Sequence, residues 1–124
     1  MEPKKILLAD DNRLIRSIVR RIIEAQDLVV CAEAATGSQA VDLADKHRLD
    51  LIVMDLSMPD MNGLDAAWKL KGAMPEIPII LFSEYSSAIG VPVSQTPFDR
   101  IVEKPNLSLL VQQIQAALPR PHST

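Results

Sequence analysis

The sequence predicts a doubly wound α/β fold, in which helices cover both faces of a parallel β-sheet. Short, almost continuously apolar runs alternate along the chain with longer segments whose apolar residues recur every third or fourth position. The runs fit strands that are buried on both faces, and the longer segments fit amphipathic helices. At 124 residues, 48% of them hydrophobic, the chain has the size and composition of one globular domain. We therefore expect a single sheet and no second domain.

The first half of the chain is predicted to form three strands, each followed by a helix. The strands are residues 4–9, 28–33 and 50–55, and the helices lie within 12–23, 36–48 and 63–72. Asp11 or Asn12 would cap the first helix, since both residue types favour that position. Thr36 and Gln39 have the spacing of a capping box at the start of the second helix. Gly72 marks the end of the third.

The second half of the chain repeats this alternation with one interruption. A fourth strand is predicted over 77–83 and a fifth over 100–105, before a last helix that Asn106 would cap. Between the two strands, a glycine and two prolines disrupt the helical pattern and leave about two turns at 84–89. We therefore predict a shortened or irregular fourth helix.

Composition and charge exclude several classes of protein. A net charge of −3 and a pI near 5.3 argue against direct nucleic-acid binding, which needs a basic face. Cys31 is the only cysteine, so the chain forms neither an internal disulfide nor a cysteine-ligated zinc site. No apolar run reaches the length of about 18 residues that a membrane span requires, and the first residues lack a signal-peptide core. We expect a cytoplasmic domain over 1–118, with 119–124 a polar tail or the start of a linker.

Polar residues stand at the predicted carboxyl ends of the strands. Asp10 and Asp11 follow the first strand, Asp55 ends the third, Ser83 ends the fourth and Lys104 ends the fifth. Each one alone has an ordinary explanation, since acids after strands usually cap helices or are solvated. Ligands of doubly wound folds bind at the edge where the carboxyl ends of the strands meet. We therefore expect these five side chains to converge on a functional site.

The residue types in this cluster predict a metal ion and a phosphoryl group. Three carboxylates repel one another unless a cation is present, and carboxylates with waters suit Mg²⁺. A carboxylate can also attack phosphorus and form an aspartyl phosphate, with Mg²⁺ and a lysine offsetting the charge on the transferring oxygens. A phosphatase is disfavoured because no second acid stands two residues after Asp55. A nucleotide enzyme is disfavoured because no glycine-rich loop follows the first strand.

Four motifs resemble those of the receiver domains of two-component response regulators, the CheY-like superfamily. They are "LLADDN", "VMDLSMPDMNG", "LFS" and "EKP", and the resemblance spans essentially the whole chain. It implies a flavodoxin-like (βα)5 sandwich whose five parallel strands lie in the order 2-1-3-4-5. The segments "LADDNRLIRSIVRRIIE" and "MDLSMPDMNGLDA" are most similar to receivers attached to helix-turn-helix transcription factors of the LuxR/NarL type.

The resemblance implies a role for each acid of the cluster. Asp55 would accept a phosphoryl group from a histidine kinase. Asp11 would bind Mg²⁺ directly, and Asp10 would do so directly or through a water molecule. Asp55 and the backbone carbonyl of Ser57 would complete the protein ligands of the metal.

The resemblance also assigns the residues around the acids. Ser83 and Lys104 would contact the phosphoryl oxygens, and the bond between Lys104 and Pro105 is expected to be cis, which is tolerated before proline. Gly63 would permit the tight turn into the third helix. Ser57 and Tyr85 stand two residues after Asp55 and Ser83, and each either tunes the loss of the phosphate to water or is an ordinary loop residue.

By the same resemblance the chain is a switch that catalyses only its own phosphorylation and dephosphorylation. Its partners would be a histidine kinase or phosphotransfer protein and, on phosphorylation, a second copy of the chain. It would regulate transcription through an output domain that this sequence does not include. Arg13, Arg16 and Arg20 recur on one face of the first helix, and this face is either a docking patch for the kinase or a solvated surface.

One position departs from the pattern of the family. Receivers usually carry Tyr or Phe three residues before the lysine, where the ring reports phosphorylation, and this chain has Ile101. Phe98 does not fit the same register without a shift. Together with the interrupted fourth helix, Ile101 leaves an alternative open, namely a pseudo-receiver that acts as a constitutive protein-interaction module. The intact acid cluster favours the switch.

Overall fold

The computed structural model describes residues 2–84 and 89–118 and has the predicted alternation of strands and helices. In chain order the elements are β1 (Lys5–Ala9), α1 (Arg13–Glu24), β2 (Val29–Ala34), α2 (Gly37–Lys46), β3 (Leu51–Met54), α3 (Gly63–Ala73), β4 (Ile79–Ser83), β5 (Arg100–Glu103) and α4 (Leu107–Ala117). All five strands are parallel and lie in the order β2-β1-β3-β4-β5. The predicted doubly wound fold and its strand order are therefore confirmed.

The strands separate two apolar layers, which explains why they lack period-two alternation. In β1, Leu7 and Ala9 belong to the layer beneath α2 and α3. Ile6 and Leu8 belong to the layer beneath α1 and α4. Because successive side chains of a strand point to opposite faces, both sets of positions must be apolar when helices cover both faces.

Side-chain caps fix where the helices begin. Asn12, and not Asp11, caps α1, since the Asn12 side chain accepts a hydrogen bond of 3.1 Å from a backbone N–H of the first turn. Thr36 caps α2 by accepting from the Gln39 N–H at 3.0 Å. The Gln39 side chain in turn accepts at 2.8 Å from the backbone N–H that precedes Thr36. The predicted cap at Asn106 is also present.

The described part of the connection from β4 to β5 is largely irregular. The two turns predicted at 84–89 fall largely on residues 85–88, which lie outside the described residues, as do 1 and 119–124. Over 90–99 the described residues form one regular element, a single 3-10 turn at Val93–Gln95. Gly90 has a φ of +73°, which glycine adopts without steric strain. In the part of the chain that the structure describes, no helix has both the length and the apolar character needed to cross a membrane.

The position that is usually aromatic in receivers lies on β5. Ile101 is half-buried and packs against the layer beneath α2 and α3. Phe98, just before β5, is 2% exposed and fills the same layer. Phe98 is therefore a core residue and does not supply the missing surface ring.

The strand order places β1 beside β3 at the centre of the sheet. Ala9 is paired with Met54, so the next residues, Asp10 and Asp55, leave the sheet side by side. The chain continues from β1 to one flank of the sheet and from β3 to the other, which creates the crevice where doubly wound folds bind ligands.

Candidate functional site

Three carboxylates meet at the carboxyl ends of β1 and β3. One oxygen from each of Asp10, Asp11 and Asp55 lies within 4.8 Å of the others. Asp10 and Asp55 are 2% and 6% exposed, whereas Asp11 faces solvent. The convergence expected from the positions of these acids in the sequence is present.

Asp10 is held through both its backbone and its side chain. Its N–H donates to the Ala34 carbonyl at 2.9 Å, which ties the end of β1 to β2. Its Oδ1 accepts from the Asn12 N–H at 2.9 Å, and its Oδ2 accepts from Lys104 Nζ at 2.6 Å. The side chain therefore has one orientation that satisfies both oxygens.

Asp55 has one oxygen bonded to the backbone and one directed toward the lysine. Its Oδ1 accepts from the Leu56 N–H at 2.8 Å, and its Oδ2 lies 3.5 Å from Lys104 Nζ. Gly63 lies against it, because a Cβ at Gly63 would overlap the Asp55 carbonyl oxygen. Gly63 is thus required by a close approach of two backbones at the start of α3.

Lys104 reaches the acids from the end of β5. Its side chain is 9% exposed, and its Nζ lies 5.9 Å from the centre of the Phe82 ring. The following bond, to Pro105, is cis as expected. Burial by itself lowers the pKa of Lys104, but the hydrogen bond to Asp10 and the charges of Asp55 and Asp10 outweigh burial and raise the pKa.

The charges at the site do not balance. Burial raises the pKa of Asp55 above its ordinary value, and the charge of Asp10 raises it further. Lys104, a hydrogen bond from the Ser83 hydroxyl and the Leu56 N–H act in the opposite direction without cancelling the rise. Ser83 is itself fully buried. Three carboxylates against one lysine leave a surplus of negative charge that a divalent cation would neutralise.

The oxygen atoms available at the site fit Mg²⁺. The acids line a cleft of about 210 Å³ that also includes Ser57. None of the described residues donates a hydrogen bond to the Ser57 carbonyl. Carboxylate oxygens, a carbonyl and room for waters match the preference of Mg²⁺ for oxygen ligands with several waters retained. Asp10, Asp11, Asp55 and the Ser57 carbonyl are the groups that would hold the ion.

The structure adds two residues that the site prediction omitted. Glu84 lines the cleft beside Lys104, and it could have been found because it directly follows Ser83 at the same edge of the sheet. Arg16 donates from Nη1 to the Asp10 carbonyl at 2.6 Å. No signal in the sequence distinguishes Arg16 from its neighbour Arg13. The predicted role of Tyr85 lies outside the described residues.

Comparison with known proteins decides the family. The sequence model of the response regulator receiver domain matches residues 6–115. The chain belongs to this family. Receiver domains of two-component systems are phosphorylation-dependent signalling switches that interact with histidine kinases or phosphotransfer proteins, and they typically bind Mg²⁺.

Individual relatives agree with this assignment. The nitrate/nitrite response regulator protein NarL of Escherichia coli K12 is 42% identical over 83 residues, which are 66% of this chain and 38% of NarL. A LuxR-family two-component response regulator from Aurantimonas superimposes with a TM-score of 0.84 at 30% identity, covering 92% of this chain and 84% of that one. TrrA of Thermotoga maritima, in complex with Mg²⁺-BeF, superimposes with a TM-score of 0.85 at 26% identity, covering 93% of this chain and 99% of TrrA. The match thus spans well under half of NarL.

Proposed function

We propose that Asp55 accepts a phosphoryl group from a phosphohistidine of a histidine kinase or phosphotransfer protein. The geometry of Asp55 carries the proposal, because its side chain lines the acidic cleft and its Oδ2 lies 3.5 Å from Lys104 Nζ. Asp10 is less suited to attack, since both of its oxygens already accept hydrogen bonds. Asp11 is solvated and forms no ion pair with the described residues.

In the proposed step an oxygen of Asp55 attacks phosphorus, an acyl phosphate bond forms, and the bond from phosphorus to the imidazole nitrogen breaks. The electron pair of that bond leaves with the imidazole. Lys104 and the Ser83 hydroxyl would bind the phosphoryl oxygens once these displace their present contacts with the acids. Mg²⁺ bound by Asp10, Asp11, Asp55 and the Ser57 carbonyl would offset the charge of the transferring oxygens.

The surroundings of the cleft favour delivery by a protein partner. An apolar groove of about 400 Å³ adjoins the cleft, and the two share Ile15, Glu84 and Lys104. The groove continues along Ile18 of α1 toward Pro105. A helix bearing the phosphohistidine would bury apolar side chains there while its imidazole enters the cleft. Arg16 and Arg20 are engaged in ion pairs, so of the predicted arginine patch Arg13 remains for such a partner.

Phosphorylation would then shift the domain between two states that differ in partner binding, including binding to a second copy. Transcriptional regulatory proteins among the relatives of this chain support transcription as the output, through a domain that this sequence does not include. We further propose that the receiver occupies 1–118, that it functions in the cytoplasm, and that its activity is limited to its own phosphorylation and dephosphorylation. Its acidic charge gives no basis for direct contact with nucleic acid.

The test is the mass of the intact protein after incubation with Mg²⁺ and phosphoramidate. We expect the wild type to gain one phosphoryl group and Asp55→Asn to gain none. Asp65→Asn is the matched control, because Asp65 is exposed in the first turn of α3 and should leave the gain unchanged. Addition of EDTA should prevent the reaction.

A pseudo-receiver remains the alternative, motivated by Ile101 and by the short 3-10 turn between β4 and β5. It predicts that the wild type takes up no phosphate. A wild type that is phosphorylated with no change in amide spectra or oligomeric state would also favour a constitutive module. Phosphorylation at a residue other than Asp55 would contradict both hypotheses.

A further inference from the structure

Arg16 connects the acid cluster to β2. From α1 its Nη1 donates to the backbone carbonyl of Asp10 at 2.6 Å, and its Nε donates to Glu33 Oε1 at 3.0 Å. The Arg16 side chain is 16% exposed, so the guanidinium lies mostly beneath the surface. One planar cation therefore holds a carboxylate of β2 with one edge and the end of β1 with the other.

The carbonyl that Arg16 holds belongs to the peptide unit between Asp10 and Asp11. A peptide unit is planar, so fixing its carbonyl fixes the direction in which the chain leaves Asp10 and places the Cα of Asp11. The Asp10 side chain has its own anchors in Asn12 and Lys104. The Asp11 side chain has no hydrogen-bond partner within residues 2–84 and 89–118, and its position relies on the backbone.

Glu33 in turn fixes the orientation of Arg16. Its second oxygen, Oε2, accepts from Arg20 Nη1 at 2.7 Å, so two arginines one turn apart on α1 clamp the same carboxylate. Arg20 also pairs with Glu24 at 3.3 Å, and it forms no hydrogen bond or ion pair with Asp10. The two arginines are thus alike in charge, helix face and the shared partner Glu33. They differ in that Arg16 is the more buried and bonds to the Asp10 carbonyl, whereas Arg20 is more exposed and pairs with Glu24.

We propose that Arg16 is a positioning residue for the metal centre, which sets the geometry of Asp10 and Asp11 through the peptide between them and is oriented by Glu33. The inference rests on the proposed function, because it concerns the Mg²⁺ that phosphotransfer requires. Arg16 touches neither the ion nor the phosphoryl group. It acts through the arrangement of the ligands, as partners behind metal ligands do in other sites.

The charge of Arg16 and its positioning role have opposite effects on metal binding. A guanidinium near the acids repels a divalent cation, so removal of the charge alone would tighten Mg²⁺ binding. Loss of positioning would weaken it, because Asp11 would have to be ordered as the ion binds. The sign of the change in affinity therefore distinguishes the two.

The experiment measures Mg²⁺ affinity by calorimetry for the wild type, Arg16→Gln and Arg20→Gln, with thermal unfolding in EDTA recorded for each. We expect Arg16→Gln to weaken binding about 10-fold, as loss of a partner behind a metal ligand typically does. Arg20→Gln removes the same charge from the same partner and should stay within about 2-fold of the wild type. Arg16→Lys should restore folding stability more fully than affinity, since lysine lacks the fork that spans both acceptors.

Arg16→Gln binding as tightly as Arg20→Gln, or more tightly than the wild type, would overturn the inference. A weakening by Arg16→Gln that merely parallels its loss of stability in EDTA, with full recovery in Arg16→Lys, would also overturn it in favour of a structural role. If the wild type is phosphorylated on Asp55, either result leaves the proposed function standing. If the wild type binds no Mg²⁺, both the proposed function and this inference fail.

Discussion

Both ends of the sheet carry carboxylates beside a lysine, but among the described residues three carboxylates lie close together at one end only. At the amino ends of the strands, which we term the amino edge, Asp50 accepts from the Lys5 N–H at 2.7 Å. Asp99 accepts from the Ile79 N–H at 2.8 Å and pairs with Lys71 Nζ at 2.7 Å. Each of these carboxylates binds a backbone N–H where a strand begins, and its role is structural.

At the carboxyl ends of β1, β3 and β5, the carboxyl edge, one lysine serves two buried acids and a third acid lies in solvent. Lys104 is 2.6 Å from Asp10 and 3.5 Å from Asp55, while Asp11 forms no ion pair with any described residue. The same residue types thus perform different work. At the amino edge, Asp50 and Asp99 accept hydrogen bonds from the N–H groups of residues that begin strands. At the carboxyl edge, three carboxylates lie together where a cation could bind.

The largest difference between the edges should appear when each loses its lysine. Lys104→Met should slow phosphorylation from phosphoramidate by roughly 10²–10³-fold, because a preorganised cation at the transferring oxygens would be lost. Lys71→Met should leave the rate within about 2-fold of the wild type, since Lys71 lies at the opposite edge. Time courses of intact mass at saturating Mg²⁺ give both rates. Equal slowing by the two variants would mean that Lys104 acts through stability alone.

Loss of an acid from the amino edge should lower the free energy of unfolding. Asp99→Ala leaves the buried N–H of Ile79 without its acceptor and should lower the free energy of unfolding by about 2 kcal/mol. Asp45→Ala, at an exposed position of α2, should change it by less than about 0.5 kcal/mol. Urea denaturation of the three proteins compares them. A loss below about 0.5 kcal/mol for Asp99→Ala would show that water replaces the carboxylate at Ile79.

The carboxyl edge could be predicted from the sequence because its residues directly follow apolar runs. A parallel sheet brings all strand ends of one kind together, so position in the sequence gives position at the edge for Asp10, Asp55 and Lys104. The contact of Arg16 could not be predicted in this way. Helical periodicity places Arg16 on a polar face, and its bonds depend on how α1 lies over β2, which no local pattern encodes.

The irregular connection was predictable for a different reason. Glycine and proline act on the backbone locally, so an interruption of the fourth helix follows from their presence. The side chain that fills the adjoining core does not follow from them. Phe98 packs into the layer beneath α2 and α3, and that contact depends on how the whole sheet and its helices assemble.

Removal of an acid from the carboxyl edge should stabilise the protein when Mg²⁺ is absent. The pKa of Asp55 is raised by burial and by Asp10, so its charged form is disfavoured in the folded state. Asp55→Asn should therefore raise the free energy of unfolding in EDTA by about 1 kcal/mol at neutral pH. The sign follows from linkage: the penalty exists above the folded pKa and is absent below the pKa of the unfolded chain. The benefit of Asp55→Asn should accordingly disappear in acid.

Saturating Mg²⁺ should reduce or reverse that benefit, because the ion stabilises the wild type in proportion to its binding to the folded state. Thermal unfolding with and without the metal measures the change. Asp65→Asn, distant from the cleft, serves as the control and should respond to Mg²⁺ as the wild type does. An Asp55→Asn variant that is less stable than the wild type in EDTA would show that Lys104 and Ser83 fully compensate the charge.

Glu33→Gln should cause the smallest change in the free energy of unfolding, and this change should have the opposite sign to that of Asp55→Asn. Burial by itself raises its pKa, but hydrogen bonds from Arg20 and Arg16 outweigh burial and lower the pKa. The side chain is 28% exposed, so after screening the pairs contribute about 0.5 kcal/mol at neutral pH. A lowered folded pKa means that this contribution is complete above the unfolded pKa and is lost as pH falls through the folded one. The deficit of Glu33→Gln in urea should thus close in acid, where the advantage of Asp55→Asn also ends. A deficit of Glu33→Gln that stayed constant or grew as the pH was lowered would contradict the assignment of a lowered pKa to Glu33.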